Sequence, residues 1–153
     1  MNTAYYFIKM DWFNIYGLAA IVVILIPNII YAAFGGAESQ SQFNNKIISL
    51  FEQVGRYGCM LFMVFNVPYT YFGFWFDNAL FVYILIGAIL LFLYCLGWIV
   101  FSKRNNLARA IWLSVTPTVL FAFCGIAIAS IPLILFSIIF GICHITISCK
   151  TCA

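Results

Sequence analysis

The chain of 153 residues is 66% hydrophobic and 7% charged, with a formal net charge of +3. Soluble domains carry about 25% charged and about 45–50% apolar residues, so a soluble fold of this length has too few charges to cover itself, and the surplus apolar surface must face lipid. The small net charge, with no basic patch interleaved with aromatics and no glycine-rich phosphate loop after a strand, excludes nucleic acid as a partner and leaves the lipid bilayer as the first one.

A hydrocarbon core about 30 Å thick is crossed by roughly 20 apolar residues of helix. Five such segments follow in chain order: residues 12–34, 47–67, 79–101, 107–129 and 132–148. The first is closed by Gly35-Gly36, the second by Pro68, and Pro132 opens the fifth, where proline suits the first helical turn. The polar stretch "GGAESQSQFNNK" is too short for a soluble domain. The linkers "SKRNN" and "SIP" are short enough to make spans 3 and 4, and spans 4 and 5, antiparallel neighbours. No barrel-type alternation is present, so the expected class is all-α, a polytopic helix bundle forming one transmembrane domain. Span 2 has a rival placement over 57–76, which puts Pro68 inside the helix and Asn66 and Thr70 deep in the membrane.

Lysine and arginine accumulate on cytoplasmic flanks. With the N-terminus outside and the C-terminus inside, the inner flanks hold Lys46, Lys103, Arg104, Arg109 and Lys150, and the outer flanks hold Lys9 alone. The aromatic run from Tyr69 to Phe76 then forms an outer interfacial belt. The first span is longer than a signal-peptide core and Asp11 offsets Lys9, so cleavage is not the expected outcome. The location implied is the cell membrane, of the bacterial inner or plasma type.

The stretch "SLFEQVGRYGC" places Glu52 and Arg56 inside span 2, roughly 8 and 14 Å from its inner boundary at the helical rise. Charges inside a membrane usually pair or line a wet cavity, and Glu four residues before Arg is the favoured orientation for an intrahelical pair. Asn28, Tyr94, Ser114 and His144 fall at similar depth on the other spans, so polar groups from all five helices share one slab of the inner half. Pro27 and Pro117 are expected helix kinks, freeing the carbonyls of Val23 and Leu113. Two readings of the slab stand: a cytoplasm-facing polar site for a small polar solute, an ion or a proton, or a structural salt bridge among ordinary proline kinks.

His144 is either a proton carrier or an interfacial histidine. The tail holds Cys143, Cys149 and Cys152, but a single C-x-x-C at a chain end lacks the four-ligand spacing of a structural zinc site, so no metal and no cofactor are expected. Gly55 and Gly58 share one side of span 2, and Gly125 with Ala129 forms a small-xxx-small pair in span 4, both suited to close helix contact.

The strings "EQVGRYGCMLFMVFNVPYTYFGFWF" and "SKRNNLARA" resemble those of small multi-pass membrane proteins of low-GC bacteria, a group of uncharacterised activity. The resemblance implies a membrane location and assigns no site residue. Two function classes are expected from the residues. One is a small transport-type or accessory membrane protein using the polar slab. The other is a non-catalytic structural or regulatory subunit whose Glu52–Arg56 pair fixes helix register against a membrane-protein partner or a second copy. A membrane-embedded enzyme is disfavoured by a single histidine and the lack of an HExxH, paired-Asp or Ser/His/Asp set.

Overall fold

The computed structural model describes residues 12–34, 45–101 and 106–152. Lys9, Asp11, Gly35, Gly36, Lys103 and Arg104 lie outside the described residues, as does the side chain of Cys152. The described chain is helical, with no strand: α1 spans Ile15–Ala33, α2 Lys46–Val64, α3 Ala79–Val100, α4 Leu107–Ala127 and α5 Ile131–Cys152. All five are long and apolar enough to cross a membrane, the architecture of a multi-pass membrane protein. Their outer faces support this: Ile29, Phe92 and Ile142 are each more than 60% exposed in mid-span, an apolar cost that only lipid removes.

Asparagine starts four of the helices. Asn14, Asn45 and Asn106 each accept a hydrogen bond from the first turn of α1, α2 and α4, at 3.0 Å from Gly17 N, 3.1 Å from Ile47 N and 3.0 Å from Arg109 N. This satisfies amides that lack an intrahelical partner. Asn78 precedes α3 in the left-handed region, at φ 61°, which Asn tolerates better than most residues. Pro27 and Pro117 lie inside α1 and α4, which continue through them.

The helices pack in an up-and-down ring, α1–α2–α5–α4–α3 and back to α1, with α5 held most heavily, between α2 and α4. The ring has a basic end, carrying Lys46, Arg109 and Lys150, and an opposite end closed by residues 65–78. α2 stops at Val64, so the rival 57–76 span is overturned: beyond Phe65 the chain is a non-helical strap with a turn at residues 68–70. The strap exists because open helix ends need partners wherever water is scarce. Asn14 N donates to the terminal Val64 carbonyl of α2, and Asn66 N to Trp12 O. Gly73 N donates to Ile128 O, Phe72 N to Ala129 O and Trp75 Nε1 to Ile126 O, covering the last carbonyls of α4. Thr70 O accepts from Ile131 N at the start of α5.

The α4–α5 turn is a Schellman closure. Ser130 N donates to Gly125 O and Ala129 N to Ile126 O, with Ala129 at φ 49°. Ala129 is therefore a turn residue and does not extend the small-residue face of α4. Gly125 alone receives the neighbouring helix, at Ile134. At its other end α5 runs four residues past Ser148, to Cys152.

Candidate functional site

Glu52 lies on the buried face of α2, nearly two turns from its N-terminus, with its side chain 7% exposed. Arg56 follows one turn later and donates from Nη2 to Glu52 Oε1. The same oxygen lies 2.9 Å from His144 Nδ1, reaching in from α5. With Glu52 ionised, Nδ1 carries the donated proton. His144 is fixed from below by Phe140, one turn earlier on α5, whose ring stacks on the imidazole at 4.7 Å and 18°.

Two glycines explain how α5 comes this near. A Cβ on Gly55 would lie 2.7 Å from the Phe140 backbone nitrogen, and one on Gly58 would lie 2.3 Å from the Phe136 ring. Real Cβ contacts are wider than this, so α2 gives up side chains on that face and the α5 backbone seats directly on it. Glu52 sits one turn before this contact, which sets the reach from its carboxylate to His144.

The other predicted residues form two further groups. Asn28 donates from Nδ2 to Tyr94 Oη at 2.8 Å and to its own Ile24 carbonyl at 2.8 Å, joining α1 to α3. Ser114, 1% exposed, bonds to Ala110 O at 2.6 Å and lies 2.6 Å from Ser148 Oγ. A hydroxyl has one proton. With the Ser114 proton on the Ala110 carbonyl, Ser148 is the donor between the two helices. Around Pro117, Thr116 and Thr118 donate to the carbonyls of Trp112 and Ser114.

The structure thus brings Glu52, Arg56 and His144 into one cluster, joins Asn28 to Tyr94 between α1 and α3, and ties Ser114 to Ser148 on α5. Sequence reasoning missed Ser148, one turn beyond His144 on α5, and Phe140, whose spacing from His144 is the only signal it offered. It also missed a buried node at the strap end: Asn14 Nδ2 donates to Tyr83 Oη at 3.2 Å, beside Cys124. Among the described residues no group of three or more His, Cys, Asp or Glu is placed to hold a metal ion. Comparisons with protein-family models, with curated proteins and with solved structures give no match.

Proposed function

We propose that the protein is a small transport-type or accessory membrane protein, with its N-terminus outside and its C-terminus in the cytoplasm of a bacterial-type cell membrane. Its working site is the Glu52–Arg56–His144 cluster, and the species handled there is a proton or a small polar ion. One observation carries this reading: a carboxylate 7% exposed shares one oxygen between a guanidinium and an imidazole from a second helix. Intramembrane ionisable residues are by default functional candidates, and imidazole is the side chain best matched to proton exchange near neutral pH. Arg56 keeps the Glu52 carboxylate neutralised whether or not His144 is charged, so a proton can arrive and leave without stranding a bare anion. Arg56, at 37% exposure, is the least enclosed side chain of the three.

The test is a flux assay in proteoliposomes containing a pH-sensitive dye, with an imposed pH gradient. Wild type is expected to dissipate the gradient faster than empty vesicles. E52Q and H144Q, checked for folding by thermal melting, are expected to lose that excess. Wild-type flux no greater than that of empty vesicles, or flux unchanged in both variants, removes the reading.

A second reading is favoured by the Gly55–Phe140 approach: a non-catalytic structural or regulatory subunit, in which the cluster locks α2 against α5 and a partner or second copy supplies the activity. Strong stability coupling between E52Q and R56Q, with no flux in any variant, supports it.

A further inference from the structure

Arg109, at the basic end, takes no part in the Glu52 cluster. Arg109 is the third residue of α4, and its guanidinium carbon lies 4.8 Å over the ring of Tyr31 and 5.4 Å over that of Trp98. Tyr31 is the third residue from the end of α1 and Trp98 the third from the end of α3. The two rings are 5.1 Å apart, tilted at 53°. Three helices therefore place a flat cation on an aromatic pair, each two residues inside its own helix end, or about 3 Å at the helical rise. For helices of this length crossing a membrane, that level falls at the membrane–water boundary, where Tyr and Trp collect and phosphates of lipid headgroups lie.

Cation–π contact uses the face of the guanidinium. Its N–H groups point from the edge, and among the described residues no carboxylate or side-chain acceptor takes them. Guanidinium edges match the paired oxygens of a phosphate. The rings also fix the side chain in advance, which removes much of the ordering cost that an unrestrained surface arginine meets on binding. We propose that Arg109, seated on Tyr31 and Trp98, binds the phosphate of an acidic phospholipid headgroup at the basic end. This site is independent of the flux reading, because neither Glu52 nor His144 takes part.

Native mass spectrometry of the purified protein with dioleoyl-phosphatidylglycerol and dioleoyl-phosphatidylcholine tests it. Attraction of one basic side chain to an anionic surface is worth about 1 kcal/mol, which corresponds to a preference of about fivefold. Wild type is expected to retain phosphatidylglycerol over phosphatidylcholine by at least that ratio, R109Q to lose the preference and K150Q to keep it. R109K retains the charge without the flat edge, and is expected to fall between wild type and R109Q. It serves as the deciding variant should R109Q not fold. No preference in wild type, or an undiminished one in R109Q or R109K, overturns the proposal. Inorganic phosphate is run as a separate arm. If it displaces phosphatidylglycerol at equal concentration, the anion site takes free phosphate and the lipid assignment falls.

Discussion

The two ends of the helix ring are held by different chemistry. At the strap end the ties are mostly backbone: Asn14 N to Val64 O, Asn66 N to Trp12 O, Gly73 N to Ile128 O and Thr70 O to Ile131 N. At the basic end they are side chains: Glu52 with Arg56 and His144, Asn28 with Tyr94, Ser114 with Ser148, and Arg109 on Tyr31 and Trp98. Backbone ties neither titrate nor change rotamer, so the strap end is suited to be a fixed base. Side-chain ties can gain or lose a proton or exchange a partner, so whatever responds to a ligand belongs at the basic end. The core follows the same division: Met63, Leu120, Phe121, Ile128 and Leu133, all under 2% exposed, lie in the middle of the ring or toward the strap.

The comparison is broken most sharply at a glycine. A Cβ on Gly17 would lie 1.9 Å from the Met63 carbonyl oxygen, and backbone cannot rotate aside. Gly17→Ala is expected to lose more than about 3 kcal/mol, at the upper end of overpacking costs and well above the helix-propensity gain of roughly 1 kcal/mol. Gly55→Ala meets Phe140 backbone at 2.7 Å, a milder overlap than 1.9 Å, and is expected to lose less. Reversible unfolding in micelles compares the two, and equal losses would mean that the basic end is as rigid as the strap end.

Next in size is the cluster itself. Glu52→Ala removes the acceptor shared by Arg56 and His144 and is expected to cost about 2–3 kcal/mol. That is below the roughly 3–5 of a fully buried pair, because Arg56 is 37% exposed. In a double-mutant cycle with His144→Ala, a coupling of about 1 kcal/mol is expected for a charge-assisted bond across two helices. A coupling near zero would leave the 2.9 Å contact without energetic meaning. At the strap end Asn14→Ala removes a helix cap and leaves the buried Tyr83 hydroxyl without its donor, at a cost of about 2 kcal/mol. There the loss is expected without any change in flux, whereas Glu52 variants are expected to change both.

The same division accounts for what could be read from the sequence. The five helices were legible because lipid demands long apolar runs, and Glu52, Arg56 and His144 because charge and imidazole stand out inside them. The contact between Glu52 and His144 was not legible, since nothing in the string says that α2 and α5 are neighbours across almost the whole chain. Gly55 and Gly58 marked a close approach without naming Phe140 and Phe136 as its occupants. The strap was least legible of all. Its bonds use amides and carbonyls that every residue possesses, so Thr70, Phe72 and Gly73 carry no mark of being partners for α4 and α5, and their aromatic neighbours read only as an interfacial belt.

The smallest expected effect has the opposite sign and isolates the backbone contribution. Ala129 holds φ 49° at the α4–α5 Schellman turn, a position that glycine usually occupies because Cβ crowds the carbonyl in the left-handed region. That crowding costs roughly 1–2 kcal/mol, whereas glycine loses more backbone entropy on folding, by about 0.5–1 kcal/mol. The difference favours Ala129→Gly by about 0.5–1 kcal/mol in unfolding experiments. The gain depends on the turn remaining closed by Ser130 N to Gly125 O and clasped by Phe72 N on the Ala129 carbonyl. If the strap end is the fixed base of the ring, relieving strain there raises stability and leaves flux and lipid preference untouched. A stabilising Ala129→Gly that also altered flux would show that the α4–α5 turn moves during function, and would erase the distinction between the two ends.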